Sequence, residues 1–238
     1  MRLIARLDVK NENLIKTVCL EGLRKIGNPN EFARKYVAQG ADELLFMDLV
    51  ASLYGRNNLF EIIHNITKDI FIPITVGGGV RSVSDATKLL ENGADKVLLN
   101  SSTFSNKELI SNLANQIGSS SVVLSIEAKK INGDWYAFYN SGRENSKVTV
   151  NEWIKEGITK GAGEICITSV DREGTEKGFD LELLKKIKLL NIKKPLIISG
   201  GISSKENILE IQKIVDCSAV CVASVLHYNK KKVNDLRI

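Results

Sequence analysis

The chain has 238 residues, of which 43% are hydrophobic, and 33 Lys and Arg against 28 Asp and Glu give a formal net charge of +5. That length and apolar content support a full core in one domain, residues 1–238, and no Pro/Gly/Ser-rich linker divides it. The basic residues are spread along helix-like segments and the 230–232 tail, so they read as a solvated surface compatible with small anionic substrates, not as a nucleic-acid interface.

Apolar runs at 3–7, 44–47, 74–76, 97–99, 122–126, 165–168, 196–198 and 219–222 predict eight strands. Most are continuously apolar, as strands of a parallel sheet covered on both faces must be. Four intervening segments place a hydroxyl three residues before a carboxylate: Ser82/Asp85, Ser105/Glu108, Thr149/Glu152 and Ser203/Glu206. That spacing predicts capping boxes at four helix starts. Gly93 and Gly161 are expected to end their helices. Two connections are long, 10–27 after the first strand and 129–148 after the fifth, and Asn132-Gly133 predicts a hairpin turn in the second. After Ser224 only 14 residues remain, 225–238, too few for a full last helix. Two explanations stand open there, a truncated chain or a short final helix.

The chain repeats itself. Val-Val-Leu-Ser-Ile-Glu-Ala-Lys (122–129) restates Leu-Ile-Ala-Arg-Leu-Asp-Val-Lys (3–10), and segments 161–169, 194–202 and 221–224 restate 40–48, 72–80 and 97–101 in the same order. Eight strand–helix units with such a repeat predict a closed (βα)8 TIM barrel of two (βα)4 halves, about 1–118 and 119–238. The repeat sets Asp8 and Glu127 at equivalent strand ends, facing one another across the mouth as an acid/base couple. A plainer reading pairs them with Lys10 and Lys129 as rim salt bridges.

Gly77-Gly78-Gly79 and Gly200-Gly201 follow the third and seventh strands, each before a helix start, where backbone amides approach an anion closely. Asn100-Ser101 and Ala223-Ser224 end the adjacent strands, so two phosphate sites are expected, one per half. Asp48, Asp171 and Glu173 add acids at strand ends two and six, Thr168 and Ser169 add hydroxyls, and Gly174 adds an amide near the second glycine loop. At the opposite rim Arg2, Glu43, Lys96 and Glu164 begin strands one, two, four and six. Alternating charges there read as a solvated barrel bottom or as a salt-bridge gate over the axis. Cys19, Cys166, Cys217 and Cys221 lack paired spacing and read as buried free thiols of a cytoplasmic protein. With two histidines, His64 and His227, a metal site is not expected, and no membrane span is.

These motifs resemble the cyclase subunit (HisF) of imidazole glycerol phosphate synthase over nearly the whole chain. The matching stretches are Ala-Arg-Leu-Asp-Val-Lys (5–10), Asp-Glu-Leu-Leu-Phe-Met-Asp (42–48), Val-Gly-Gly-Gly-Val (76–80), Gly-Ala-Asp-Lys-Val (93–97), Gly-Ala-Gly-Glu-Ile (161–165), Thr-Ser-Val-Asp-Arg-Glu-Gly-Thr (168–175) and Ala-Ser-Val-Leu-His-Tyr (223–228). The resemblance implies a barrel that takes ammonia from a HisH-like glutaminase at the strand-start rim. With that ammonia the family cleaves and cyclises a bis-phosphorylated ribulosyl aminoimidazole carboxamide nucleotide, and no cofactor is implied. It would make Asp8 and Glu127 catalytic. Gly79, Asn100, Ser101, Thr168, Gly174, Gly201, Ala223 and Ser224 would bind substrate phosphates, and Arg2, Glu43, Lys96 and Glu164 would form the ammonia gate. Three residues depart from the family pattern: Glu127 replaces the second catalytic aspartate, Glu173 an aspartate of the sixth loop, and Arg6 a cysteine. Together with Ala-Ser-Leu-Tyr-Gly-Arg-Asn (51–57), they resemble more closely a paralogous branch that supplies ammonia for acetamido-to-acetamidino sugar conversion with a sugar amidotransferase. A histidine-pathway cyclase and a catalytically silent scaffold for a glutaminase are the other readings.

Overall fold

A computed structural model describes residues 1–51 and 59–238. The 51–57 motif therefore lies, apart from Ala51, outside the described residues. In chain order the strands are β1 (Arg2–Lys10), β2 (Asn13–Val18), β3 (Glu21–Gly27), β4 (Glu43–Asp48), β5 (Ile74–Gly77), β6 (Lys96–Leu99), β7 (Val122–Ile131), β8 (Asp134–Tyr139), β9 (Glu144–Thr149), β10 (Glu164–Ser169), β11 (Leu196–Ser199) and β12 (Ala219–Val222). The helices are α1 (Pro29–Ala38), α2 (Leu59–Ile66), α3 (Val83–Glu91), α4 (Ser101–Ser105), α5 (Glu108–Ile117), α6 (Val150–Thr159), α7 (Leu181–Lys188), α8 (Lys205–Ile214) and α9 (Ser224–His227).

Eight strands close a parallel barrel in the order β1, β4, β5, β6, β7, β10, β11, β12 and back to β1. All eight expected strands fall within these. From β1 to β7 is four steps either way round, so Asp8 and Glu127 stand on diametrically opposite strands. Alternation along each strand separates two cores. Leu3, Ala5, Leu7 and Val9 face the helices, while Ile4 joins Leu45, Leu98, Val123, Cys166 and Ile197 in a smaller cluster inside the barrel.

The helix ends show where residue spacing decides and where it does not. Capping boxes form at Ser82/Asp85 and Thr149/Glu152. The other two expected boxes do not form. Ser105 instead ends α4, its hydroxyl donating to the Ser102 carbonyl at 3.0 Å, so it cannot start the next helix. The cap of α8 is Ser204, one residue later than expected, because Ser203 is drawn off to the Glu176 carbonyl at 2.9 Å. Asn28 and Asp180 are unforeseen caps. Gly93 and Gly161 follow the caps of α3 and α6 with φ of 103° and 101°, a conformation glycine adopts without steric cost.

Both long connections are hairpins folded over the strand-end mouth. Asn132-Gly133 turns β7 into β8 with φ of 50° and 86°, as expected. The first, read only as a long loop, is the antiparallel β2–β3 hairpin. Its turn is Cys19-Leu20, both left-handed at 52° and 62°, with neither Gly nor Asn to announce it. At the chain end α9 has four residues, and the following 3₁₀ turn Val233–Leu236 buries Val233 and Leu236. His227 Nδ1 hydrogen-bonds Tyr36 Oη at 2.5 Å and stacks on its ring, tying α9 to α1. Among the described residues no helix is long and apolar enough to cross a membrane.

Candidate active site

A cavity lies beside each glycine loop at the strand ends, and the two are unequal. The first encloses about 420 Å³ between Gly78, Gly79, Asn100, Ser101, Glu127 and Tyr139. The second is a slot of about 20 Å³ bounded by Gly174, Gly200, Gly201, Ala223, Ser224 and Arg6. Gly79, Asn100 and Ser101 thus come together at one site, and Gly174, Gly201, Ala223 and Ser224 at the other. Thr168 lies apart from both, in the barrel interior. The glycines are needed sterically: a Cβ on Gly78 would sit 2.3 Å from the Asp48 carbonyl oxygen, and one on Gly201 2.3 Å from that of Gly178. Asn100 is buried with both side-chain polar atoms unpartnered. Buried polar atoms are normally satisfied, so this amide aimed at the first cavity suits a polar ligand.

The two acids have different surroundings. Asp8 is fully buried beneath the β2–β3 hairpin, where Arg6 Nε donates to its Oδ1 at 2.7 Å and Lys16 Nζ lies 4.0 Å from its Oδ2. Lys16 is itself paired to Glu173. Glu173 also accepts from Thr17 Oγ1 and Leu20 N, each at 3.1 Å, and so holds the hairpin down. The expected alternative of Asp8 pairing with Lys10 does not occur, because Arg6 on the same inward face reaches it first. Nor does Glu127 pair with Lys129, which lies over the Phe138 ring.

Glu127 accepts a hydrogen bond from Gly142 N at 2.7 Å. Burial raises its pKa to about 7, partly offset by that amide and the Arg6 charge. A carboxyl poised there can give or take a proton at neutral pH. Asp48, at the end of β4, is also pushed up by burial while capping Val50 N and Ala51 N at 2.9 Å.

At the strand-start rim the four expected residues form a closed ring. Arg2 bridges Glu43 at 2.6 Å and Glu164 at 3.2 Å, and Lys96 bridges the same two carboxylates at 3.2 and 3.1 Å. Thr75 Oγ1 donates to Glu43 at 2.6 Å. Each carboxylate thus meets two cations, a network and not a scatter of surface charges. Between this ring and the acids lies the apolar layer of Ile4, Leu45, Leu98, Val123 and Cys166.

Sequence reasoning did not assign a site role to Arg6, Lys16, Tyr139 or Gly142. The signal for Arg6 was available, since a residue two before Asp8 on a strand shares its face. Lys16, Tyr139 and Gly142 reach the mouth only through hairpin geometry. Among the described residues no cluster of three or more His, Cys, Asp or Glu is placed to hold a metal ion.

Comparison with known proteins accords with this geometry. Residues 2–232 match the family described as histidine biosynthesis protein. The chain is 56% identical over 207 residues to imidazole glycerol phosphate synthase subunit HisF of Legionella pneumophila, covering 87% of this chain and 97% of that one. It is 39% identical over 237 residues to HisF of Sulfurisphaera tokodaii, covering 99% and 94%. With HisF of Prochlorococcus marinus it shares 44% identity over 241 residues, covering 100% and 93%.

Proposed function

The chain belongs to the HisF family of imidazole glycerol phosphate synthase subunits, a family of enzymes, and from that premise we propose that it is the ammonia-accepting cyclase subunit of such a synthase in histidine biosynthesis. Ammonia would come from a HisH-like glutaminase docked at the strand-start rim, entering through the Arg2, Glu43, Lys96 and Glu164 ring. The substrate's two phosphates would be held at Gly79, Asn100 and Ser101 and at Gly174, Gly201, Ala223 and Ser224. Its reacting centre would lie between Asp8 and Glu127. The observation that carries the reading is the pair of acids on opposite strands between two glycine loops, with the charged ring at the other end of the same barrel.

Glu127 supplies the transferable proton in this scheme, donating to the departing nitrogen and recovering a proton from the attacking one. General acid/base help of this kind is worth about 10²–10⁴-fold. The test is to purify the chain, supply the bis-phosphorylated nucleotide with ammonium salt, and follow imidazole glycerol phosphate. Turnover that falls by about 10²-fold or more in Glu127→Gln supports the scheme, and no turnover in the unmodified chain refutes it.

Two observations favour a second reading. Glu127 is a methylene longer than the family's aspartate, and Arg6 occupies Asp8. A misplacement of about 1 Å costs on the order of 10²-fold. The second reading is the sugar-amidination branch, in which the barrel conveys ammonia to a sugar amidotransferase without cyclising. Glu127→Asp separates the two: a gain in cyclase turnover shows the glutamate to be limiting. Amidination by a reconstituted three-protein system without cyclase turnover supports the second reading.

A further inference from the structure

Arg6 is a charged interior residue to which the proposed function gives no task. It is buried, yet its side chain crosses the barrel, from Asp8 on its own strand to Thr168 Oγ1 on β10, which accepts from Nη1 at 3.4 Å. β10 is three strands from β1 in one direction and five in the other, so the guanidinium spans the interior and is not pressed against its wall. It borders the void shared with Leu45, Leu98, Glu127 and Cys166 and also the second glycine-loop slot. Strand direction fixes its level. Arg6 lies two residues beyond Ile4 of the apolar layer and two short of Asp8.

We propose that Arg6 is an internal plug: held between Asp8 and Thr168, its guanidinium closes the barrel axis above the apolar layer, so that a small neutral molecule rising from the charged rim reaches the acids only when Arg6 lets go of Thr168. The plug rests on the ammonia-delivery reading for its purpose, though not for its existence. The layer beneath it is closed at both ends, by the four-residue ring below and by Arg6 above. A cation in that layer would lose its hydration and face a fixed positive charge, whereas neutral ammonia pays neither cost. Arginine suits the position because it stays charged and its planar fork can hold two partners at once. Because its ion-pair partner is Asp8, a swing that breaks the Thr168 contact and carries the guanidinium aside also loosens its hold on that acid. Opening the path and uncovering Asp8 become one movement. Arg6 is a positioning residue in this account, not a catalytic one.

Cys166 is a built-in reporter, 1% exposed, in the layer between ring and plug. Arg6 favours its thiolate, while burial pushes the thiol up to about 12. Removing Arg6 would therefore slow thiol chemistry at Cys166 on electrostatic grounds, and faster labelling can only report access. The full-length chain and Arg6→Ala would be treated with neutral methyl methanethiosulfonate, and labelling followed at each cysteine by peptide mass. Cys217, buried outside the barrel interior, monitors unfolding. Since Arg6→Ala leaves Asp8 buried without its partner, Arg6→Ala/Asp8→Asn is run beside it. The expected result is labelling of Cys166 at least tenfold faster in both variants with Cys217 unchanged. Equal labelling of Cys166 in all forms overturns the plug. A second arm adds the cognate glutaminase and compares product formed from glutamine with product formed from ammonium salt in Arg6→Ala and the unmodified chain. A rise in that ratio of threefold or more supports gated passage, and an unchanged ratio overturns it. If no form uses glutamine, the delivery reading fails, and the labelling alone still decides whether Arg6 seals the axis.

Discussion

Replacing Glu127 by Gln should make the protein more stable, and by an amount that depends on pH. The carboxyl is buried, its pKa is raised from 4.5 to about 7, and its one close donor is the Gly142 amide, which a Gln oxygen can still accept from. A group whose folded pKa exceeds its unfolded value favours the folded state below the unfolded pKa and loses that advantage as pH rises through the folded one. Between pH 4.5 and 7 the unfolded chain gives up the proton while the folded chain keeps it. Well above pH 7 the folded chain carries the full cost of a buried carboxylate, about 3 kcal/mol for a rise from 4.5 to about 7. At pH 5 the same reckoning leaves under about 1 kcal/mol. A domain of this length shifts in Tm by about 2–4 °C per kcal/mol, so Glu127→Gln should melt about 6–12 °C above the unmodified chain at pH 8 and no more than about 4 °C above it at pH 5. Differential scanning calorimetry of both forms at the two pH values is the assay, and their difference cancels every other titration. An equal gap at both pH values, or a less stable variant at pH 8, would refute the assignment of Glu127 as a strained buried acid.

Other perturbations probe the remaining parts. Glu43→Ala leaves Arg2 and Lys96, both partly exposed, with only Glu164 to share, and should cost about 1–2 kcal/mol in urea unfolding. In the presence of the glutaminase it should also lower glutamine-fed turnover more than ammonium-fed turnover. Gly78→Ala forces a Cβ against the Asp48 carbonyl, so the first loop must move. Its affinity for inorganic phosphate, read from phosphate-dependent Tm, should fall by about tenfold, the worth of one lost charge-assisted donor. Glu173→Ala removes the acceptor for Lys16, Thr17 and Leu20. Amide exchange across residues 13–27 should then speed up while β7–β8 stays protected; no change would show that the hairpin is held by its own pairing.

Much of the fold was legible because barrel strands are apolar on both faces, and that pattern survives without any long-range information. The capping boxes at Ser82 and Thr149 were legible for a related reason: cap and partner are three residues apart and need nothing else. Where a third residue competes, the local rule loses. Ser203 matched the cap spacing but bonds to the Glu176 carbonyl, 27 residues away, and the helix starts one residue later. The β2–β3 hairpin escaped notice because its turn residues, Cys19 and Leu20, adopt left-handed φ with no sequence signal. The acids and glycine loops were placed by the repeat, and the ring by its position at strand starts. What the repeat could not supply was the inequality of the two cavities, since cavity size depends on which side chains fill it.

That inequality follows from one pair of equivalent positions. Arg6 in the first half corresponds to Ser125 in the second, each two residues before its acid and each facing inward. The arginine reaches up to Asp8 and across to Thr168, and its bulk narrows the second glycine-loop slot. Ser125 is too short to cross the interior, and it borders the void beside Arg6, Glu127 and Thr168. The hairpins add to the difference. In the first half the hairpin brings down a lysine side chain, Lys16, and in the second only a backbone amide, Gly142 N. Asp8 therefore stands beside two cations, and Glu127, among the described residues, makes no ion pair. Two carboxyls that share a backbone position therefore have different neighbours: Asp8 lies against the Arg6 and Lys16 cations, while Glu127 accepts from the Gly142 amide at the wall of the first cavity. A duplicated barrel needs no change of fold to give equivalent carboxyls in its two halves different surroundings. A different residue on the strand and a different hairpin are sufficient.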